Sequence, residues 1–174
     1  DWRKRAFTSV SVLFLFSNYL IIKIMNTDYI VAEVELSYRN RVPYKDRKKV
    51  VTSEDAYNIL LNNHDDDTID YTETFKVLYL NHAGQVVGCK TLSTGGITAT
   101  CVDVRNIMQA ALLTNATAMV LAHNHPSGST RPSREDDKIT NQVVKAGQLL
   151  NIQVVDHIIY TREHFYSYND EGRI

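Results

Sequence analysis

Hydrophobic and polar positions along the chain fall into short apolar runs, which predict strands, and segments with apolar residues every three or four positions, which predict helices. Helices are predicted after Thr52 or Ser53, after Asp103 and after Ser133, because each of these side chains can cap a helix N-terminus. Strands are predicted at residues 29–36, 74–80, 85–91, 117–122, 152–160 and 164–168. Since strands and helices interleave, the expected fold class is α/β or α+β, with a mixed β-sheet covered by helices on both faces.

Length and composition fit one globular domain with a short appendage. The chain has 174 residues, of which 44% are hydrophobic and 22% are charged, so a wholly disordered chain and a collagen-like repeat are excluded. A net charge of -1 offers no general argument for nucleic-acid binding. The two cysteines, Cys89 and Cys101, are too few for a disulfide scaffold or a four-thiolate zinc site.

The N-terminal segment differs from the rest of the chain. Residues 6–22 are uncharged and follow the basic residues Arg3, Lys4 and Arg5, a pattern typical of a membrane anchor or a signal peptide, although no small-residue cleavage site follows. A third interpretation is that Met25 is the natural start, because an ordinary globular pattern begins directly after it. We favour this interpretation and divide the chain into a hydrophobic extension at 1–25, a strand and basic loop at 26–49, and a main domain at 50–174. We therefore expect a cytoplasmic protein, which would be anchored to a membrane only if residues 1–24 are native.

Residues 39–49 carry six basic residues and one proline without helical or strand periodicity, which predicts a loop. Such a loop can contact a phosphate backbone, so nucleic acid is a candidate partner. A basic run this short is more often a solvated connection. The loop is the only support in the sequence for nucleic-acid binding.

The stretch from His123 to Asp136 carries the most specific chemistry. His123 and His125 follow a buried strand, and residues two apart on an extended segment point to the same side, so both imidazoles can meet at one point. Gly128 allows the chain to turn back, and Asp136 lies in the first turn of the next helix. Two histidines and one carboxylate leave one tetrahedral position open for water, which is the pattern of catalytic zinc. Asp136 also stands three residues after Ser133, the spacing of a capping box, so it could instead support only the helix start.

Hydrolysis at such a centre also needs a general base that is not a metal ligand. Glu73 stands directly before the strongest predicted strand, where its side chain can be held rigidly, but spacing alone does not select it. The candidate residues are Glu33, Glu35, Glu54, Glu73 and Glu135.

The order of Glu73, His123-x-His125, Ser133 and Asp136 resembles the JAMM motif of the JAB/MPN metallopeptidases. HNHPSG followed by PSxxD resembles the RadC branch of that family, as do TFKVLYLN and the Val-Asp-His sequence ending at residue 157, so the resemblance covers about residues 50–174. The resemblance implies a JAB/MPN (cytidine-deaminase-like) fold and one Zn²⁺ held by His123, His125 and Asp136. It further implies that Glu73 acts as general base and that Ser133 supports the oxyanion.

The function implied by this resemblance is that of a zinc metallopeptidase that cleaves a peptide or isopeptide bond in a peptide or protein substrate. The alternative is a DNA-repair-associated accessory protein with a non-catalytic metal site, which would bind nucleic acid through residues 39–49. Asp156 and His157 could support the metal from a neighbouring strand, although a buried core histidine is the simpler interpretation.

Overall fold

The computed structural model describes residues 34–35, 37–95 and 102–174. The predicted strand at 29–36 falls almost wholly outside these residues, and the hydrophobic segment at 1–25 falls wholly outside them. No helix in the described ranges is long and apolar enough to cross a membrane. The fold described below belongs to the compact unit Ser37–Ile174.

The described part of this unit contains one 3₁₀ helix, three α-helices and five strands. In chain order these elements are the 3₁₀ helix (Tyr44–Asp46), α1 (Ser53–Asn62), β1 (Thr74–Leu80), β2 (Val86–Thr94), α2 (Val104–Leu113), β3 (Ala118–Asn124), α3 (Arg134–Leu150), β4 (Gln153–Tyr160) and β5 (Phe165–Ser167). The strands predicted at 74–80, 117–122, 152–160 and 164–168 are therefore confirmed, with small differences in their ends.

The five strands form one mixed sheet in the order β2-β1-β3-β4-β5. Strands β3 and β4 are parallel and are joined by α3, while the other neighbouring pairs are antiparallel. Strand β1 is buried along its whole length, and β3 is buried from its second residue onward, as expected for the two strands at the centre of the sheet. The predicted mixed sheet is confirmed, and the fold class is α+β.

Helices cover both faces of this sheet, as the sequence predicts. Leu60 of α1 packs on one face against side chains of β1, β3 and β4. On the other face, Ile107 of α2 and Val143 of α3 pack against the alternate side chains of the same strands. Alternation along β3 therefore sends Leu121 and His123 to the face covered by α3, and Ala122 to the face covered by α1.

Three details differ from the sequence prediction. Strand β2 continues to Thr94 rather than ending at Thr91. Strand β3 continues to Asn124, so His123 is part of the strand rather than the residue after it. The basic segment at 39–49 is not only loop, because it contains the 3₁₀ helix Tyr44–Asp46 and ends near a bridge between Lys49 and Gln85.

The register of the sheet determines which loops meet at each end of β3. His123 is paired with Phe75 near the start of β1, and Asn124 is paired with Tyr160 at the end of β4. The residues before β1 and after β3 therefore meet at the same end of the sheet, where β1 begins and β3 ends. A cavity of about 500 Å³ lies at the other end of β3, beside Thr117 and Ala118, and none of the predicted site residues line it.

Candidate metal centre

Two histidines reach a common point at the carboxyl end of β3. The Nε2 atoms of His123 and His125 lie 2.9 Å apart. His123 is buried, whereas His125 is partly exposed at the start of the turn that Gly128 completes with a φ of 81°. The predicted convergence of the two imidazoles is therefore present, and one side of the site remains open to solvent.

Asp136 completes this cluster from the first turn of α3. Its Oδ1 atom lies 3.2 Å from Nε2 of His123, and its Oδ2 atom lies 3.9 Å from Nε2 of His125. Tetrahedral ligands about 2.0 to 2.1 Å from a zinc ion are separated by about 3.3 Å. One ligand atom from each of the three side chains lies within 4.8 Å of the other two, so these residues could hold one small divalent cation, and they form the group of potential metal ligands found in the described part of the chain.

Asp136 also forms the capping box that its spacing from Ser133 predicts. The backbone N–H and the hydroxyl of Ser133 both donate to Oδ2 of Asp136 at 2.7 Å, and the backbone N–H of Asp136 donates to Oγ of Ser133 at 3.1 Å. Burial would raise the pKa of Asp136, but His123 and the hydrogen bonds from Ser133 lower that pKa by more, to well below its usual value. The carboxylate is therefore ionised and held in one orientation by the capping box, while it also faces both histidines.

The second ring nitrogen of each histidine has its own partner. Nδ1 of His125 lies 2.6 Å from the backbone carbonyl oxygen of Ser129. Because a carbonyl oxygen only accepts hydrogen bonds, this contact requires a proton on Nδ1, and neutral His125 then has its lone pair on Nε2, toward the cluster. Nδ1 of His123 lies 2.9 Å from Nε2 of His157.

His157 is therefore more than a core residue, because it contacts a predicted ligand directly. It is fully buried on β4, and burial, followed by the proximity of His123, holds its pKa well below the ordinary histidine value. Its neighbour Asp156 does not reach the cluster. The carboxylate of Asp156 instead accepts hydrogen bonds from the hydroxyl of Ser167 at 2.6 Å and from the backbone N–H of Asn169 at 3.0 Å.

Glu73 lies at the same end of the sheet, immediately before β1, and is partly exposed. Its backbone carbonyl accepts a hydrogen bond from the N–H of Gly95 at 3.1 Å, which ties the start of β1 to the end of β2. Of the other candidate bases, Glu54 lies in the first turn of α1 and Glu135 is exposed beside Asp136. Glu33 lies outside the described residues.

Sequence reasoning missed Asn124, which lies between the two histidines. Its side chain is fully buried on the opposite face of β3. Oδ1 accepts from the backbone N–H of Thr74 at 2.8 Å, and Nδ2 donates to the carbonyls of Ile69 at 2.7 Å and Thr72 at 2.8 Å. Asn124 thus fixes the segment that carries Glu73 to the strand that carries the histidines. The available signal was an amide side chain between two predicted ligands, at the end of an apolar strand.

Comparison with known proteins gives matches over most of this domain. Residues 50–173 match the family model described as a RadC-like JAB domain. A UPF0758 protein of Flavobacterium johnsoniae is 40% identical over 146 residues, which cover 82% of this chain and 62% of that protein. The UPF0758 protein YfjY of Escherichia coli strain K12 is 45% identical over 100 residues, covering 58% of this chain and 62% of YfjY. The chain thus spans about three fifths of the length of these two relatives.

Proposed function

Because the chain belongs to the RadC-like JAB domain family, we propose that it is a zinc-dependent hydrolase that cleaves a peptide or isopeptide bond in a peptide or protein substrate. The observation that carries this proposal is the convergence of His123, His125 and Asp136, whose ligand atoms lie within 4.8 Å of one another at the partly exposed carboxyl end of β3.

The donor set matches the proposed ion in chemistry as well as in spacing. Zinc in proteins is bound by imidazole nitrogens and carboxylate oxygens, and three protein ligands are typical of catalytic rather than structural zinc. When bound, zinc would act as a Lewis acid on the scissile carbonyl and would lower the pKa of a bound water. Metal binding would weaken in acid, because protons compete for the two imidazoles and the carboxylate.

In this proposal Glu73 is the general base. Its carboxylate takes a proton from the attacking water and delivers that proton to the leaving amine, so the peptide bond is replaced by a new C–O bond and a neutral amine departs. The position of Glu73 next to Thr74 supports this role, because Thr74 is hydrogen-bonded to the residue between the two histidines.

Ser133 is the proposed hydrogen-bond donor to the oxyanion. In the structure its hydroxyl donates to Asp136. Donation to a substrate therefore requires that the hydroxyl proton rotate from the carboxylate to the oxyanion. A hydrogen bond from one such donor to the oxyanion contributes about a factor of 10² to 10³ in rate. The backbone N–H of Ser133 keeps its bond to Asp136 during that rotation, so the ligand stays in place.

Metal content of the purified 174-residue chain is the first test. We expect about one zinc per chain by elemental mass spectrometry in the wild type, and loss of that zinc in His123→Ala and Asp136→Ala. His82→Ala is the matched control, because His82 is an exposed residue of the β1–β2 turn and should not change the metal content. Absence of zinc from the wild type, with no uptake on titration, would refute the metal site.

Activity is then measured on matched libraries of quenched fluorescent peptides and lysine-linked isopeptides. Glu73→Gln should retain zinc and lose about 10²- to 10⁴-fold in turnover. Glu171→Gln, a change at an exposed glutamate near the C-terminus, should leave turnover unchanged. Turnover that survives chelation of zinc, or that survives Glu73→Gln, contradicts the proposed mechanism.

A further inference from the structure

A chain of buried hydrogen bonds runs behind the candidate metal centre, from the main chain of one ligand to the imidazole of another. The hydroxyl of Thr140 lies 2.6 Å from the carbonyl oxygen of Asp136 and 2.6 Å from Nδ1 of His157. Nε2 of His157 lies 2.9 Å from Nδ1 of His123. Thr140, His157 and His123 are each at most 3% exposed, so water has little access to these contacts.

The donor in each of these hydrogen bonds can be worked out from the contact between Thr140 and Asp136. A carbonyl oxygen only accepts, and the hydroxyl of Thr140 has a single proton, so that proton points to Asp136. The hydroxyl oxygen therefore accepts from Nδ1–H of His157. Neutral His157 then presents its Nε2 lone pair, which accepts from Nδ1–H of His123. The lone pair of neutral His123 is consequently on Nε2, the atom that faces Asp136 and His125.

We propose that Thr140 and His157 are positioning residues that hold His123 in the tautomer whose Nε2 lone pair faces the metal site. This inference rests on the proposed function in one respect, namely that the site takes a metal ion. It assigns no contact with the substrate to either residue.

We call the hydrogen-bonded series Thr140, His157 and His123 the relay. Aromatic packing holds its two imidazole rings in the orientation that these hydrogen bonds need. The ring of Tyr168 stacks on His157 with a centroid distance of 5.0 Å and an interplanar angle of 15°. The ring of Phe75 stacks on His123 at 5.9 Å and 6°, and it meets His157 edge-on at 5.7 Å. Neither imidazole can turn over without displacing an aromatic neighbour, so the hydrogen-bond direction set by Thr140 is transmitted to His123.

The relay also couples two elements of the site. Thr140 stands one helical turn after Asp136 on α3, and His157 lies on β4 between α3 and His123 on β3. A change in the position of α3 would therefore alter both the carboxylate ligand and the imidazole ligand. Partners of this kind, which orient metal-ligating histidines, typically contribute 10- to 100-fold to metal affinity.

The first measurement is the tautomer of His123 in the metal-free wild-type chain, determined by two-dimensional ¹⁵N NMR of the imidazole at neutral pH. We expect the proton on Nδ1. A neutral ring with its single proton on Nε2 would overturn the proposal. This measurement needs neither a variant nor a substrate, so it separates a failure of the relay from a failure of the proposed hydrolase function.

The second measurement is zinc affinity by competition with a chelator. Thr140→Val removes the hydroxyl at nearly constant volume. His157 then has no acceptor for a proton on Nδ1 and can carry that proton on Nε2 instead. A proton on Nε2 of His157 favours the opposite tautomer of His123. We expect Thr140→Val to lose about 10- to 100-fold in zinc affinity and to move the proton of His123 to Nε2. Thr140→Ser, which keeps the hydroxyl, should bind zinc within about threefold of the wild type.

Tyr79→Phe serves as the control for general loss of stability. It removes another buried hydroxyl, which donates to the carbonyl of Ile107 at 3.1 Å and has no part in the relay. This variant should lower the thermal midpoint without changing the zinc affinity or the tautomer of His123. If Thr140→Val binds zinc as tightly as Thr140→Ser, Thr140 is a packing residue only and the proposal is wrong.

Discussion

Replacing Asn124 by alanine should destabilise the domain while leaving all three candidate metal ligands in place. The Asn124 side chain is fully buried and makes three hydrogen bonds to backbone atoms of Ile69, Thr72 and Thr74. Alanine can make none of them. The perturbation therefore acts on the attachment of the segment before β1, which includes Glu73, and not on an imidazole or carboxylate of the site.

The expected loss follows from the number of bonds and from their burial. A hydrogen bond contributes about 1 kcal/mol net to stability, so three bonds amount to about 3 kcal/mol. The N–H of Thr74 is left buried without a partner, which adds to the cost, while entry of water beside Thr72 reduces it. A typical domain has a total stability of about 5 to 15 kcal/mol, so we expect Asn124→Ala to fold.

Urea denaturation of the metal-free chain measures the change in the free energy of unfolding. Asn141→Ala is the matched control, because exposed Asn141 makes a single side-chain hydrogen bond, to the carbonyl of Asp137 at 2.8 Å. We expect the control to lose less than about 0.5 kcal/mol. A loss below about 1 kcal/mol in Asn124→Ala would refute the reasoning, because it would mean that the three bonds contribute no more than one ordinary bond.

Three further outcomes are expected. Gly147→Ala should lower stability by about 1 to 3 kcal/mol in thermal or urea unfolding, because a Cβ atom here would lie 2.3 Å from the carbonyl oxygen of Ile152. The same exchange usually stabilises a helix, so a gain in stability would contradict this reasoning. Ser133→Ala should cost about 1 kcal/mol in the same unfolding measurements, because it removes the α3 N-cap, and it should also reduce turnover. Ser133→Thr should restore both stability and turnover. A Thr variant as impaired as the Ala variant would contradict the role of the hydroxyl. Burial, followed by the nearby Lys76, lowers the pKa of His64 from 6.5 to about 4. The unfolded chain therefore takes up a proton that the folded chain does not, and stability should fall as the pH drops from about 6.5 to 4. By urea denaturation, His64→Asn should show a weaker decrease in stability between pH 7 and 5, and an unchanged decrease would argue against this assignment.

The strands, the helix caps and the pair of histidines could be predicted from the sequence because each is encoded locally. The apolar run of β3 from Ala118 to Ala122 can be read without knowledge of its neighbours, and the spacing from His123 to His125 places both side chains on one side of an extended chain. The order of the strands in the sheet depends on contacts between distant segments. Periodicity therefore gave the elements but not the register that pairs Phe75 with His123.

The supporting residues of the site could not be predicted for the same physical reason. His157 meets His123 across 34 residues, and Asn124 reaches Ile69 across 55, so no local pattern carries either contact. A histidine in an apolar strand is compatible with an ordinary core position until its neighbour is known. The contact with His123, rather than burial itself, distinguishes His157 from a core residue.

Asp136 forms the capping box that its spacing from Ser133 predicts, and this cap is compatible with the metal-ligand role proposed for the same carboxylate. A carboxylate has two oxygens, and here Oδ2 accepts both hydrogen bonds from Ser133 while Oδ1 lies nearest the Nε2 atom of His123. The cap limits rotation of the side chain and favours the ionised form, which are the two properties that a metal ligand needs before the metal arrives. The capping box therefore orients and keeps ionised the carboxylate that we propose as a metal ligand.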